Sequence, residues 1–99
     1  MDNILDLFRL DGQVAIVTGS GRGIGAATAL AYADAGADLV ISARTVTQLE
    51  ETAEKVRARG RRALVVPGDV LDAEQREHLV EKTIDEFGRL DILVNNAGG

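Results

Sequence analysis

The chain alternates short, almost wholly apolar segments with longer segments that are amphipathic or rich in alanine. Four apolar segments recur, at residues 14–17, 39–42, 63–66 and 92–95. Continuous apolar character over so few residues is typical of strands that are covered on both faces, as in a parallel sheet. The pattern therefore predicts four buried parallel strands.

The segments after the first and second strands carry helix signals. Residues 24–35 are rich in alanine, which favours a helix and lets it pack closely on a sheet, and Gly36 is predicted to end this helix. Thr47 and Glu50 have the spacing of a capping box, so the second helix is predicted to begin there and to end at Gly60.

The third helix is predicted between Asp72 and Phe87. Asp72 and Gln75 also have capping-box spacing, and Val80, Ile84 and Phe87 form the apolar stripe that is expected to face the core. Strands that alternate with helices in right-handed crossovers predict an α/β fold, the first part of a doubly wound parallel sheet in the order 3-2-1-4. Its ligand crevice is expected where this order reverses, beside the first and fourth strands.

Glycine occurs four times in seven residues after the first strand, in the stretch VAIVTGSGRGIG, at Gly19, Gly21, Gly23 and Gly25. Such a loop lets the backbone approach a phosphate, and the following helix directs unpaired N–H groups and the positive end of its dipole at the same anion. The segment Gly21-x-Gly23-x-x-Ala26 also fits the general dinucleotide pattern. A glycine-rich turn without a ligand is the alternative.

The more specific register of this loop is Thr18-Gly19-x-x-x-Gly23-x-Gly25. With it the sequence resembles the short-chain dehydrogenase/reductase family, whose nucleotide loop reads T-G-x-x-x-G-x-G. The resemblance implies a Rossmann-type fold, of which this chain is the N-terminal portion. It also implies a cofactor-binding loop that consists of Thr18, Gly19, Ser20, Arg22, Gly23, Ile24 and Gly25.

Two further segments extend the resemblance, and each follows a predicted strand. Gly68-Asp69-Val70 looks like the family's adenine-contacting segment, with Asp69 at the adenine amino group and Val70 beside the ring. Asn95-Asn96-Ala97-Gly98 matches the family's N-N-A-G motif, which steadies the central sheet and lies along the cofactor. The resemblance therefore implies that Asn95, Asn96, Ala97 and Gly98 belong to the cofactor site.

The end of the second strand predicts which dinucleotide binds. An acidic residue there bonds the ribose hydroxyls of NAD, whereas an arginine accommodates the 2′-phosphate of NADP. Here Ala43 stands in the acid's position, Arg44 follows it, and Arg22 adds a second cation in the glycine loop. A guanidinium binds phosphate in a forked geometry, so NADP is predicted in preference to NAD. The alternative is that Arg44 is a solvated loop charge.

Composition narrows the range of partners. The formal net charge of -5 argues against a nucleic-acid partner, and no apolar segment approaches the length of a membrane span. The chain has no cysteine, and its single histidine, His78, provides no cluster for a metal. We therefore expect a soluble, cytoplasmic protein that binds no metal.

The 99 residues are expected to form one domain, in which residues 1–12 are a lead-in segment. The apolar residues of this segment are predicted to pack a turn against the domain, with a membrane-binding or partner-binding helix as the alternative. They are Ile4, Leu5, Leu7, Phe8 and Leu10.

In the family that the sequence resembles, a tyrosine four residues before a lysine, with a serine upstream, assists hydride transfer between an alcohol and a carbonyl. This chain contains no Tyr-x-x-x-Lys, since Tyr32 is followed at that spacing by Gly36. We therefore expect the cofactor-binding part of an NAD(P)-dependent oxidoreductase, without catalytic residues and without turnover by this chain alone. The alternatives are a nucleotide-binding module without chemistry, or another Rossmann enzyme such as a methyltransferase or a sugar-nucleotide epimerase.

The resemblance also implies that the parent enzyme is a homo-oligomer that acts on a small-molecule alcohol or carbonyl. Acyl-carrier-protein reductases and hydroxysteroid dehydrogenases are equally compatible with the motifs. A sheet that ends at the fourth strand leaves an apolar edge, through which the chain itself is expected to associate.

Overall fold

The computed structural model describes residues 9–96, in which strands and helices alternate along the chain. The order of elements is the predicted one. The elements are β1 (Val14–Thr18), α1 (Gly23–Asp34), β2 (Asp38–Ser42), α2 (Val46–Ala58), β3 (Ala63–Val65), α3 (Ala73–Phe87) and β4 (Ile92–Val94).

The strands form one parallel sheet in the order β3-β2-β1-β4, which confirms the predicted topology. β1 lies between β2 and β4, so that Ile16 is in register with Val40 on one side and with Leu93 on the other. Because the strands are parallel, the loops that follow their carboxyl ends lie along one edge of the sheet. The order of the strands reverses at β1, which is where α/β sheets place their ligand crevice.

The core has two parts, one on each face of the sheet. Ala15 and Val17 of β1 pack with residues of α1 and α2, whereas Val14 and Ile16 pack with Leu79 of α3. Every residue of β1 is buried. The strand pattern was readable from the sequence because both faces are covered, so apolar residues occur at consecutive positions instead of every second one.

Helix α1 faces the sheet with small residues. Gly25, Ala29 and Ala33 are its buried positions, and their spacing of four places them on one side of the helix. The prediction of a closely packed, alanine-rich helix is confirmed.

Helix α2 does not begin at the predicted capping box. It begins at Val46, its N-cap residue is Thr45, and Thr47 lies inside the first turn. The Leu49 N–H donates to the Thr45 carbonyl at 3.3 Å, so the first backbone bond of the helix already forms two residues earlier than predicted. The Thr45 side chain makes no capping hydrogen bond.

Helix α3 begins as predicted but buries a different row of residues. Leu79 and Thr83 are buried, whereas Val80 and Ile84 are 43% and 45% exposed, so the predicted stripe is wrong for these two. The row that faces the sheet continues to Phe87, which packs on the second part of the core. Thr83 is tolerated in that row because its hydroxyl donates to the Leu79 carbonyl at 2.8 Å.

The capping box of α3 forms only in part. Asp72 Oδ1 accepts hydrogen bonds from the N–H groups of Glu74 and Gln75, at 2.9 and 3.3 Å. The side chain of Gln75 does not return to Asp72, as a capping box requires. Instead, its Oε1 accepts a hydrogen bond from the Asp69 N–H at 2.5 Å.

Of the predicted lead-in cluster, the structure describes Leu10 alone. Leu10 packs against the first part of the core, and its N–H donates to the Ala35 carbonyl at 2.7 Å. The other four residues, Ile4, Leu5, Leu7 and Phe8, lie outside the described residues.

Candidate nucleotide-binding site

A groove of about 650 Å³ runs along the carboxyl edge of the sheet. Its volume lies in the range that small-molecule sites occupy. The loops after β1, β2 and β3 form most of its wall, and one residue after β4 completes it. The lining residues are Gly19, Gly21, Arg22, Gly23, Ile24, Gly25, Ser42, Ala43, Arg44, Thr45, Gln48, Gly68, Asp69, Val70, Leu71 and Asn96.

The glycine loop bends into the groove at positions that disfavour other residues. Gly19 and Gly23 have φ angles of +64° and +60°, in the left-handed region. Gly25 is needed for a different reason, because a Cβ on this residue would collide with the backbone carbonyl of Gly19. Absence of a side chain at Gly25 therefore brings the first turn of α1 directly against the loop.

The first turn of α1 offers unpaired donors to the groove. Within residues 9–96, the N–H groups of Gly23, Ile24 and Gly25 have no hydrogen-bond partner. The first turn carries no acidic side chain that would compete for them. Three unpaired N–H groups at the positive end of a helix are a favourable site for a phosphate.

Ser20 holds the loop from behind instead of lining the groove. It is fully buried, its N–H donates to the Ser42 carbonyl at 3.3 Å, and its Oγ accepts from the Ser42 N–H at 3.1 Å. The Thr52 hydroxyl of α2 donates to the Ser20 carbonyl at 2.9 Å. Ser20, which the resemblance implies as a cofactor-binding residue, thus fastens the glycine loop to β2.

The ends of β1 and β4 are joined through Thr18. Its Oγ1 accepts from the Asn96 N–H at 2.8 Å and donates to Asn95 Oδ1 at 3.1 Å. Neither Thr18 nor Asn95 is among the lining residues, whereas Asn96 is. Thr18 and Asn95 therefore position Asn96, while Ala97 and Gly98 lie outside the described residues.

Two arginines in the groove differ from the other seven. Within residues 9–96, neither the Arg22 nor the Arg44 side chain makes a hydrogen bond or an ion pair, and both residues are exposed. Each of the others donates to a carboxylate or a carbonyl: Arg9 to Asp11, Arg57 to Glu54 and Ala63, Arg59 to Asp34, Arg61 to Asp38, Arg62 to Glu86, Arg76 to Val70 and Arg89 to Asp91. The two guanidinium groups that remain available for a ligand lie in the groove.

The loop after β3 carries the acidic group of the site. Asp69 and Val70 are half-buried in the loop after β3. Asp69 Oδ1 accepts from the Leu71 N–H at 2.9 Å, which leaves Oδ2 without a partner among the described residues. The carboxylate therefore keeps one oxygen that can accept a hydrogen bond from a ligand.

Some residues that line the groove were not predicted from the sequence. Gln48, in the first turns of α2, lies so close to Gly21 that a Cβ on that glycine would be 3.0 Å from the Gln48 Cβ. Its amide makes no hydrogen bond within residues 9–96. Thr45 and Leu71 also line the groove. Their positions follow from where α2 and α3 begin, which the sequence pattern placed only to within a few residues.

Other kinds of site find no support in the described part of the chain. Residues 9–96 contain no group of three or more histidine, cysteine, aspartate or glutamate side chains that could hold a metal ion. His78 is exposed on α3. None of the helices in this range combines the length and the apolar character that crossing a bilayer requires.

The fold and the groove define the class of protein, a Rossmann-type nucleotide-binding unit. Its family follows from comparison with known proteins. The family described as short chain dehydrogenase matches residues 13–99, and the chain therefore belongs to the short-chain dehydrogenase/reductase family.

Known relatives agree with this assignment. An uncharacterized oxidoreductase of Mycobacterium tuberculosis is 53% identical over 96 residues, which are 97% of this chain and 36% of the relative. The crystal structure of hydroxysteroid dehydrogenase from Escherichia coli gives a TM-score of 0.91 at 37% identity, over 95% of this chain and 40% of that one.

A third relative was solved with ligands. L-Sorbose reductase from Gluconobacter frateurii, in complex with NADPH and L-sorbose, gives a TM-score of 0.88 at 43% identity. The match covers 93% of this chain and 35% of the reductase. The present chain thus spans little more than a third of the length of these relatives.

Proposed function

We propose that this chain is the NADP-binding part of an oxidoreductase that interconverts an alcohol and a carbonyl by hydride transfer. The proposal rests on two arginines, Arg22 and Arg44, whose side chains have no partner within residues 9–96. Both line a groove that also contains the free N–H groups of α1. When bound, the nicotinamide supplies the site that accepts or donates the hydride.

The chain's own residues fit the parts of the dinucleotide. The N–H groups of Gly23, Ile24 and Gly25 would hold the pyrophosphate, because they are unpaired and lie at the positive end of α1. Asp69 Oδ2 would accept from the adenine amino group, and Val70 would pack beside the ring. Asn96, which Thr18 fixes in place, lines the groove on the side of β4 and would contact the inner half of the cofactor.

The preference for NADP follows from the charges at the end of β2. Ala43 lines the groove where an acid would otherwise bond the ribose hydroxyls of NAD. Arg44 follows it and Arg22 lines the same groove, so both guanidinium groups would be available for charge-assisted bonds with a 2′-phosphate. The NADPH complex of L-sorbose reductase, a relative of 43% identity, supports this choice.

Turnover requires groups that this chain does not carry. The sequence has no Tyr-x-x-x-Lys, and the described lining residues include no tyrosine, lysine or histidine that could serve as a general acid. We therefore propose that these 99 residues bind the cofactor without reducing a carbonyl. The same observation favours the second candidate, a nucleotide-binding module without chemistry, for the chain in isolation.

Calorimetric titration of the purified protein with NADP⁺ and with NAD⁺ tests the proposal. We expect saturable binding of NADP⁺ and weaker binding of NAD⁺, together with no oxidation of NADPH in the presence of carbonyl compounds. Tighter binding of NAD⁺ would contradict the assignment of the cofactor. Absence of binding by both dinucleotides would contradict the assignment of the groove.

A further inference from the structure

The wall of the groove after β3 is a tight turn that depends on α3. The Asp72 N–H donates to the Asp69 carbonyl at 3.0 Å, and the Leu71 N–H donates to Asp69 Oδ1 at 2.9 Å. These bonds close the turn on itself. The start of the turn is tied to the loop after β2 by the Gly68 N–H, which donates to the Ala43 carbonyl at 3.0 Å.

Two consecutive side chains of α3 tie this turn to the helix. Gln75 Oε1 accepts from the Asp69 N–H at 2.5 Å, and Arg76 Nη1 donates to the Val70 carbonyl at 2.8 Å. Neither Gln75 nor Arg76 lines the groove. They hold from behind the two residues that face the nucleotide in the proposed function.

Gly68 makes this arrangement possible. A Cβ on Gly68 would lie 2.8 Å from Gln75 Oε1, closer than such atoms normally approach. A residue with a side chain at this position would push the amide of Gln75 away from the Asp69 N–H. The glycine before Asp69 therefore serves the contact with α3 in addition to lining the groove.

The Gln75 bond also bears on the chemistry of Asp69. With its N–H held by Gln75 and its Oδ1 held by Leu71, Asp69 is constrained at both its backbone and its side chain. The remaining carboxylate oxygen is an acceptor of fixed position. A fixed acceptor distinguishes a base that presents an amino group from one that presents a carbonyl. The amino group can donate to the Asp69 carboxylate, whereas a carbonyl oxygen and the carboxylate are both acceptors and form no hydrogen bond with each other.

We propose that Gln75 is a positioning residue that makes the site selective for adenine. It acts through Asp69 and does not touch the ligand. The inference rests on the proposed function, in which Asp69 accepts from the amino group of the base. Arg76 supports the same turn through Val70.

The test compares NADP⁺ with its hypoxanthine analogue, in which a carbonyl replaces the amino group of the base. Calorimetry gives the dissociation constant of each probe for the unchanged protein, for Gln75→Met, which lacks the acceptor oxygen, and for Gln75→Glu, which retains one. Glu77→Met is the control, since Glu77 is exposed on the same helix and its side chain makes no hydrogen bond within residues 9–96.

We expect the unchanged protein and Glu77→Met to prefer the adenine probe. Gln75→Met should lose roughly tenfold in affinity for NADP⁺, which corresponds to about 1.4 kcal/mol, and change little for the hypoxanthine probe. Gln75→Glu should recover most of the preference. A general loosening of the fold would weaken both probes equally, so the ratio of the two constants isolates the positioning role.

Hydrogen exchange supplies a second measurement that needs no ligand. The Asp69 amide should exchange faster in Gln75→Met than in Glu77→Met, while amides of the central strand β1 remain unchanged. An unchanged ratio of dissociation constants and an unchanged Asp69 amide in Gln75→Met would overturn the inference and leave the proposed function intact. Failure of the unchanged protein to bind either probe would overturn both.

Discussion

Gly25 lies so close to the carbonyl of Gly19 that no side chain fits between helix α1 and the glycine loop. The obstacle is backbone, which cannot rotate away as a side chain could. The separation between these two residues therefore sets how far the free N–H groups of α1 reach into the groove.

This contact predicts that Gly25→Ala moves the helix away from the loop. We expect a loss of about 1–3 kcal/mol in the free energy of unfolding, typical of overpacking, and loss of NADP⁺ binding. Gly23→Ala is the matched comparison, because its Cβ would meet no atom within 4 Å and the variant pays only for the positive φ of +60°. Chemical denaturation and calorimetry measure the two quantities, and equal stability of Gly25→Ala and the unchanged protein would contradict this account.

The position of Arg44 in the groove predicts that this residue selects NADP over NAD. Arg44→Ala should weaken NADP⁺ binding by roughly 10- to 100-fold, the size of a lost charge-assisted bond, and leave NAD⁺ binding almost unchanged. Lys82→Ala removes the same charge from the exposed surface of α3 and should alter neither. An equal loss for both dinucleotides in Arg44→Ala would show that the guanidinium does not meet the 2′-phosphate.

Ala43 predicts the converse change. Ala43→Asp places a carboxylate at the groove wall, where it repels a 2′-phosphate and can accept from ribose hydroxyls. We expect NADP⁺ binding to weaken by roughly tenfold or more and NAD⁺ binding to strengthen, as measured by the same titrations. Ala43→Asn, which has a similar shape without the charge, separates repulsion from steric effects.

The hydrogen bonds of Asp91, just before β4, predict that the stability of the fold depends on pH in the acidic range. The hydrogen bond from Arg89 holds the pKa of its carboxyl below the ordinary value of 3.8, with a further contribution from the Val14 N–H, which donates to Oδ2 at 2.8 Å. Because the pKa is lower in the folded state, this carboxylate stabilises the protein fully above pH 3.8, and the effect is lost as the pH falls through the folded-state pKa.

Thermal unfolding between pH 2 and pH 7 checks this expectation, with the pH range chosen to span both states of the carboxyl. Asp91→Asn should unfold at a lower temperature than the unchanged protein at neutral pH, and the gap should narrow in acid. Asp85→Asn is the control, since Asp85 is exposed on α3 and its side chain makes no hydrogen bond within residues 9–96. A gap that stays constant with pH would refute the role of the charge.

Leu93 predicts self-association of the chain. Within the described residues β4 pairs with β1 on one side only, and Leu93 on this strand is 61% exposed. A strand with one unpaired edge and an exposed apolar side chain favours pairing with another chain. Leu93→Lys should shift the protein towards monomer in light scattering, whereas Val80→Lys, at a position 43% exposed on α3, should have a smaller effect. Equal behaviour of the two variants would place the association elsewhere.

The fold was predictable because its signals are local. β1 reads as consecutive apolar residues since both faces of the strand are covered, and Gly19 and Gly23 mark a loop that requires left-handed backbone. The strand order followed from the alternation of strands and helices. The apolar runs and the glycines depend on neighbouring residues, and the strand order depends on the general rule that such crossovers are right-handed.

The side chains that complete the site were harder to predict, because their positions depend on the residue at which a helix begins and on which of its faces packs against the sheet. Thr47 and Glu50 fit a capping box, yet α2 begins at Val46, which is why Gln48 lies in the groove. Val80 and Ile84 fit an apolar stripe, yet Leu79 and Thr83 face the sheet. Asn95 and Thr18 matched the motif, and the structure adds that they support Asn96 from behind.

Three ion pairs and the two arginines without a partner lie at opposite ends of the strands of the sheet. The pairs formed by Arg59 with Asp34, by Arg61 with Asp38 and by Arg89 with Asp91 all lie where the strands begin, and Arg22 and Arg44 lie where the strands end. Substitutions of Arg22 or Arg44, at the proposed cofactor site, are therefore expected to leave these ion pairs intact at the other end of the strands.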